Sequence, residues 1–172
     1  MLELKEINEC DAIETIKLRE TLNKETLFLD FENDELEKDV SKEMEHIKKV
    51  NSNNNLIWRL LVEDDEKIGF IFLKINALKR RSHVATLSIA ILSSKCGQGL
   101  GKKSIKKAIE LVKQRGVSIV DLVVDTTNEV AISLYKKIGF VVDGCFINSK
   151  YINHDRTKEY RSEYHMSLHI KE

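Results

Sequence analysis

The sequence predicts a mixed α/β fold of the α+β kind, with a central mixed sheet of about six to seven strands flanked by about four helices. Three apolar runs in the middle of the chain are separated only by short polar turns, as in an antiparallel meander. After residue 97, helix-like and strand-like segments alternate, which is typical of parallel strands joined by crossover helices. A charged segment near the N-terminus carries apolar residues at helical spacing, so we expect helices on both faces of the sheet.

The N-terminal third predicts one strand and two helices. Residues 2–7 alternate apolar and charged side chains, and Asn8 or Asp11 is placed to cap the helix that follows. We expect the second helix over residues 34–50. The apolar stripes of the two helices are Ile13, Ile16 and Leu22 in the first, and Leu36, Val40, Met44 and Ile47 in the second.

The rest of the chain predicts six more strands and two more helices. Gly116 and Gly139 end these helices, because glycine readily adopts the left-handed conformation that follows a helix. No repeat or linker interrupts the pattern, so we expect a single domain over residues 1–172. In chain order we expect strands over 56–62, 68–75 and 84–92, a helix over 100–115, a strand over 117–124, a helix over 129–138, and strands over 140–147 and 163–170.

Composition excludes several classes of function. The 172 residues contain 28 Lys and Arg and 28 Asp and Glu, and a chain without basic excess is a poor partner for nucleic acid or an anionic membrane. No apolar run approaches the ~18 residues of a membrane span, and the first residues lack a secretory pattern, so we expect a cytoplasmic protein. The three cysteines lie far apart with no CxxC pair, so neither a disulfide framework nor a metal site is expected.

A glycine-rich stretch is the first functional motif. Residues 88–103 read SIAILSSKCGQGLGKK, in which three of the seven glycines follow a strand and precede a helix. Glycine lets backbone N–H groups approach a ligand closely, and a helix N-terminus adds unpaired donors, which suits a pyrophosphate. The spacing fits neither the dinucleotide fingerprint nor the P-loop. Alone, the motif is equally compatible with a turn that only links a strand to a helix.

The second motif lies in the next helix. Residues 123–140 read VVDTTNEVAISLYKKIGF. Asn128 is placed to cap this helix, and Tyr135 returns to nearly the same side two turns later, with the small Ala131 between them. A small residue flanked by two polar ones forms a groove for an extended ligand. Taken singly, Asn128 needs only to cap the helix and Tyr135 only to pack its ring.

Together, CGQGLG and NEVAISLYKKIGF resemble the motifs of the Gcn5-related N-acetyltransferase (GNAT) superfamily, whose enzymes use acetyl-CoA. The resemblance is close over residues 84–147 and elsewhere extends only to element order. It implies a splayed sheet with coenzyme A in the gap between two middle strands. Backbone groups of Ile89, Ala90 and Ile91 would pair with pantetheine, and Asn128 would bind the same arm. The pyrophosphate would bind the amides of Gly97, Gln98, Gly99, Leu100, Gly101 and Lys102.

The same resemblance implies transfer of the acetyl group of acetyl-CoA to a primary amine of a small molecule, directly within a ternary complex and without a metal. Tyr135 would face the thioester sulfur and act as the general acid toward the departing thiolate. The general base stays open, because the strand before the glycine loop carries no carboxylate. Its candidates are a water held by Thr86 or Ser88, and the side chains of His83, Glu163 and Tyr164.

We expect the acceptor pocket between the first two helices and the final strands. The segment between those helices is acidic, which suits a cationic amine, although a solvated helix start explains the same charges. Glu25 and Glu32 are the candidate substrate contacts. Two other functions stay open: acetylation of a protein N-terminus or lysine, and a catalytically silent acyl-CoA-binding or interaction module. Family analogy also suggests a homodimer.

Overall fold

The computed structural model describes residues 1–32, 34–154 and 157–170, and these form one seven-stranded sheet with four α-helices. The elements are β1 (Leu2–Glu6), α1 (Ala12–Glu25), α2 (Val40–Asn51), β2 (Leu56–Glu63), β3 (Glu66–Ile75), β4 (Val84–Ile91), α3 (Leu100–Lys113), β5 (Ile119–Asp125), α4 (Glu129–Ile138), β6 (Val141–His154) and β7 (Thr157–His169). The strand order is β1-β2-β3-β4-β5-β7-β6. Only the β4–β5 pair is parallel, so the predicted mixed sheet is confirmed.

Two helices cover one face of the N-terminal half of the sheet. α1 and α2 pack on β2 and β3 through a cluster in which Leu22 and Ile47 are almost fully buried. Burial of such a side chain contributes about 1.5–3 kcal/mol relative to exposure. Ile16 lies on the buried side of α1 as predicted, but Ile13 is 51% exposed. The described members of this cluster extend no further than β4, which leaves the same face of β5, β7 and β6 without a helix.

The other two helices cover the opposite face. α3 contributes Ile105 and Val112 to the larger core cluster, α4 contributes Ile132, and β7 contributes the fully buried Met166. Helices therefore lie on both faces, as predicted. The helix over residues 129–138 has the predicted bounds, and Gly139 ends it with a φ of 117°.

The start of α2 differs from the prediction. The helix begins at Val40 instead of residue 34, because Asp39 is the residue that caps it. Its carboxylate accepts a 3.1 Å hydrogen bond from the amide of Lys42. The acidic residues before Asp39 therefore lie in the loop between α1 and α2 and not on a helix.

The face that α2 buries also differs. Of the predicted stripe, Ile47 is fully buried, but Val40 and Met44 are 38% and 41% exposed. The helix instead buries Glu43, whose Oε2 accepts a 2.7 Å hydrogen bond from Arg19 of α1. Glu43 is therefore buried because its carboxylate is paired, although a prediction based only on the positions of apolar residues would expose it.

The C-terminal hairpin is longer than predicted. Both strands continue beyond residues 140–147 and 163–170 toward the hairpin turn, with Lys150 opposite Arg161 in the register. Most side chains in this extension are exposed and polar, so the sequence there lacks the alternation of apolar residues that predicts a strand. Pairing between the two strands forms the extension.

Candidate active site

The sheet opens between β4 and β5. These strands are in register only over residues 84–86 and 119–121, although β4 continues to Ile91 and β5 to Asp125. Paired strands lie about 4.8 Å apart, so the end of pairing at Thr86 and Asp121 marks the apex of a V-shaped opening. We call this opening the gap. The predicted splay of the sheet is confirmed.

Alternate residues of β4 direct their backbone groups into the gap. The amide of Leu92 donates a 2.8 Å hydrogen bond to the carbonyl of Ile68 on the β3 side. Backbone groups of alternate residues in a strand point to the same side, so those of Ala90 also face β3. The N–H and C=O groups of Ile89 and Ile91 face the gap, as a cofactor pairing with this edge requires. Ala90 is not available for the predicted backbone contact.

The glycine loop forms an open cradle between β4 and α3. Gly97 and Gly99 have φ angles of 77° and 75°, and no atom lies within 4 Å of the Cβ that either position would carry. Among the described residues, none of the amides of residues 97–102 donates a hydrogen bond within the chain. The first amide bonded to the loop is that of Lys103, to the carbonyl of Gly99 at 3.2 Å. These free donors at a helix N-terminus suit an anionic group.

Side chains contribute less to this cradle than its backbone does. Gln98 folds back on the loop, and its Nε2 donates to the carbonyl of Ser94 at 3.1 Å. Lys107 donates to the carbonyl of Leu2 at 2.6 Å, so it fixes β1 to α3. Lys102 stays exposed on the first turn of α3 and is placed to meet a phosphate. The backbone amides and Lys102 are therefore the groups left available to an anion.

Asn128 and Tyr135 lie at the two ends of one side of α4. Asn128 caps the helix as predicted, since its Oδ1 accepts a 3.2 Å hydrogen bond from the amide of Ala131. Tyr135 is 8% exposed, and its ring centroid lies 5.8 Å from that of Phe140. Burial raises the pKa of Tyr135 to about 12, so its hydroxyl stays protonated at neutral pH.

The model of the acetyltransferase (GNAT) family matches residues 17–140. The chain belongs to the GNAT family. The matched span contains the gap, the glycine loop and α4, so the family predicted from two short motifs is confirmed over most of the chain.

Two bacterial relatives and one crystal structure show how close this GNAT chain is to known proteins. It is 35% identical over 118 residues to the spermidine N(1)-acetyltransferase of Escherichia coli K12, which covers 62% of this chain and 60% of the relative. It is also 30% identical over 105 residues to the L-amino acid N-acetyltransferase AaaT of the same organism. That match covers 60% of this chain and 62% of the relative. The chain thus spans less than two thirds of either relative's length.

The crystal structure is that of a GNAT-family acetyltransferase from Streptococcus pneumoniae. It superposes with a TM-score of 0.88 and 26% identity, covering 99% of this chain and 100% of that one. The whole described fold, including the hairpin that the sequence predicted too short, is therefore a GNAT fold.

On the side expected to bind the acceptor, hydrogen bonds from Lys150 connect the α1–α2 loop to the C-terminal hairpin. Lys150 of β6 donates to the carbonyls of Phe28 and Leu29 at 3.1 and 2.8 Å and to Asp30 Oδ1 at 3.0 Å. Only 13% of the Lys150 side chain is exposed. The loop therefore runs from α1 across to β6, which brings together the two segments expected to form the acceptor pocket.

A second cation connects this loop to the gap. Arg161 lies opposite Lys150 in the hairpin, with its Nη1 3.5 Å from Asp125 Oδ2 at the end of β5 and its guanidinium 5.9 Å from the ring centroid of Phe28. Asp125 is buried, and its Oδ1 accepts hydrogen bonds from the amide and hydroxyl of Thr127 at 2.8 and 2.6 Å. Neither of these charged residues was predicted from the sequence, although an Asp two residues before a Thr is typical of a turn.

The two candidate substrate contacts lie in different places. The Glu25 carboxylate at the end of α1 accepts a 2.7 Å hydrogen bond from the amide of Ser93, just before the glycine loop. Glu32 lies within the α1–α2 loop, and its amide donates to Glu35 Oε2 at 2.8 Å. Glu25 therefore also supports the cofactor side, and an acceptor contact by either glutamate stays a prediction.

The face of β5 and β7 away from α3 and α4 carries a group of polar side chains. Leu122 of β5 points into the core on the other face, and period-two alternation places the neighbouring residues here. Thr86 and Ser88 of β4 are exposed on the same side, across the gap. We call these side chains, together with the apolar Val123 between two of them, the open face: Asp121, Val123, Asp125, Glu163 and His165.

Two of the candidate bases lie away from the open face. His83 precedes β4, beyond the apex of the gap, and its carbonyl accepts from the amides of Ser118 and Ile119. Tyr164 packs against the core on the side of α3 and α4. Of the predicted candidates, a water at Thr86 or Ser88 and the side chain of Glu163 remain on the acceptor side.

The described residues contain neither a membrane-spanning helix nor a metal-binding cluster. No helix there is both long enough and apolar enough to cross a membrane. No group of three His, Cys, Asp or Glu side chains in that part of the chain has an arrangement that holds a metal ion.

Proposed function

We propose that this chain transfers the acetyl group of acetyl-CoA to a primary amine of a small molecule, directly within a ternary complex. The observation that carries the proposal is the gap, because one wall offers free backbone groups that lead straight to the free amides of residues 97–102. An extended thioester with a diphosphate at one end fits such a site. The proposal treats residues 1–172 as one acetyltransferase domain.

The cofactor would be held mainly by backbone groups. Its pyrophosphate would accept hydrogen bonds from the glycine loop, and its pantetheine arm would pair with Ile89 and Ile91 as an added strand would. The side-chain amide of Asn128 has two N–H donors left after capping, which are placed for a carbonyl of the same arm. A gap-facing amide of β4, that of Ile89 or Ile91, is the proposed donor to the oxyanion that forms at the thioester carbon.

Tyr135 would assist the departing sulfur. A tyrosine with a pKa of about 12 is a weaker acid than an ordinary thiol near 8.5, so complete transfer of its proton to the thiolate is unfavourable. We therefore assign to Tyr135 a hydrogen bond that stabilises the thiolate as the C–S bond breaks. This refines the general acid expected from the sequence.

The acceptor side favours a small amine. The loop fastened by Lys150 crosses from α1 to the hairpin and restricts the surface along which a long peptide would lie. The two relatives named above act, by their names, on spermidine and on amino acids, which are small amines. The exposed cysteines suit a reducing, cytoplasmic location, and a homodimer stays part of the proposal.

A panel of acceptors tests this function. The purified chain is given acetyl-CoA with a polyamine, amino acids, an amino sugar, and peptides that carry a free N-terminus or lysine. Because three exposed cysteines would react with a thiol reagent, the reaction is followed by loss of thioester absorbance and by product mass. Acetylation of small amines supports the proposal. Acetylation of peptides alone supports a protein acetyltransferase, and CoA binding without turnover supports a silent binding module.

A further inference from the structure

We infer that Asp121, His165 and Asp143 form the path by which the acceptor ammonium loses its proton. The inference rests on the proposed function and adds to it the base that the sequence left open. We call these three side chains the relay row. They come from three adjacent strands, β5, β7 and β6: Asp121 and His165 lie on the open face, and Asp143 lies beside it on β6.

The imidazole of His165 stands between the two carboxylates. Its Nε2 lies 3.5 Å from Asp121 Oδ2, and its Nδ1 lies 3.4 Å from Asp143 Oδ2. The ring of Phe146 packs edge-on against it, with the centroids 6.2 Å apart. The two nitrogens of the ring therefore face opposite directions, Nε2 toward the gap and Nδ1 toward the outer strand. This arrangement passes a proton along a line and does not converge on one point as a metal site does.

The inner end of the row lies at the apex of the gap. Asp121 pairs with Thr86 at the last position where β4 and β5 are in register. His165 is directly opposite Val123 in the β5–β7 register, two residue pairs beyond the apex. At the outer end, the Asp143 side chain is 39% exposed, compared with 21% for Asp121. The row thus leads from the place where the strands part to the protein surface.

The chemistry of the acceptor requires such a path. Deprotonation of an alkylammonium with a pKa near 10.4 costs about 4–5 kcal/mol of free energy at pH 7 if no group assists it. β4 offers no carboxylate for this step, and its exposed side chains nearest the apex are Thr86 and Ser88. Asp121 Oδ1 is buried and has no hydrogen-bond partner among the described residues. A cationic acceptor at the apex would supply the missing donor.

The proton and electron balance of the step is complete. The ammonium gives one proton to the Asp121 carboxylate, which passes it to Nε2 of the His165 imidazole, and the Nδ1 proton passes by Asp143 to solvent. The amine lone pair then forms the C–N bond with the thioester carbon, and the C–S bond breaks with its electron pair on sulfur. The second N–H proton is released as the intermediate collapses and neutralises the thiolate.

The test compares two histidines of the same strand. His165→Gln removes the centre of the row, and His169→Gln is the matched control, since His169 is exposed on the same face of β7 opposite Ile119. Transfer is measured from pH 6.5 to 10 with the fastest acceptor of the panel above, and CoA affinity is measured by calorimetry. Asp143→Asn, at the exposed end of the row, provides a second variant with little risk to folding.

We expect His165→Gln to lower kcat/KM for the amine about twentyfold at pH 7 and less than threefold at pH 10, because the amine there loses its proton to solvent. Asp143→Asn lowers it by a smaller factor with the same pH trend, and CoA affinity stays within twofold. The relay is overturned if the two histidine variants have equal kcat/KM at pH 7. It is also overturned if His165→Gln lowers kcat/KM by the same factor at every pH. A wild-type chain that acetylates no amine overturns the proposed function, and the relay with it.

Discussion

The two sides of the gap are built in different ways. On the cofactor side, the groups proposed to meet the ligand are backbone amides and carbonyls of one continuous stretch, residues 89–102. On the acceptor side, side chains from distant parts of the chain meet, as when Lys150 binds the carbonyls of Phe28 and Leu29. The cofactor side therefore depends on local conformation, and the acceptor side depends on long-range side-chain contacts.

This difference separates what is common to a family from what is particular to one protein. A backbone cradle needs only glycine at a few positions, so many sequences form it and bind the same cofactor. A pocket made of side chains such as Arg161 and Asp125 changes whenever one partner changes. Substitutions on the two sides should thus have separable effects on the two substrates.

The largest expected effect is on the cofactor side. Gly99→Ala places a Cβ in the open side of the cradle at a φ of 75°, and we expect CoA affinity to fall about thirtyfold, or ~2 kcal/mol. Gly116→Ala is the matched control, because Gly116 has a φ of 81° and equally open surroundings after α3. Calorimetry should show the loss of affinity in the first variant only. Equal losses would mean that backbone strain, and not the cradle, is responsible.

The next effect is on the chemical step between the two sides. Tyr135→Phe should lower kcat at least about tenfold, or ~1.4 kcal/mol, and change CoA affinity only a few-fold. Burial raises the pKa of Tyr135 to about 12, so its O–H persists well above the ordinary range and wild-type kcat should show no falling limb up to pH 10.5. Tyr160→Phe, at an exposed hairpin position, is the control. Unchanged turnover in Tyr135→Phe would remove this residue from the reaction.

The smallest effect is on the acceptor side. Lys150→Met keeps the length of the side chain but removes its three hydrogen bonds to the α1–α2 loop, so we expect KM for the amine to rise about fivefold. KM for acetyl-CoA should stay within twofold, and Lys158→Met on the exposed part of β7 should change neither constant. Steady-state kinetics with each substrate varied in turn checks this. A parallel rise in both constants would contradict the separation of the two sides.

The same contrast explains how far the sequence could predict the structure. The fold class, the helix over residues 129–138, its cap at Asn128 and the glycine loop follow from local patterns, and the structure contains them all. The start of α2, its buried Glu43 and the extended hairpin depend on partners far along the chain, such as Arg19. No local pattern indicates those partners.

The candidate site divides in the same way. The backbone of Ile89 and Ile91 faces the gap and stays available for the predicted cofactor contact, whereas Ala90 faces β3 because strand pairing fixes its direction. Asp121 and His165 lie 44 residues apart in sequence (165 − 121) and become neighbours only when β5 pairs with β7. One sequence without a strand register cannot indicate that they meet.

The central claim is that acetyl-CoA lies in the gap on backbone donors. It is tested most directly by titrating the isotope-labelled chain with CoA and following the amide resonances. We predict that the amides of Ile89, Ile91 and residues 97–102 shift together, while those of the hairpin around Lys150 do not. Shifts confined to the hairpin or to the open face, or no shifts at saturating CoA, would contradict the claim.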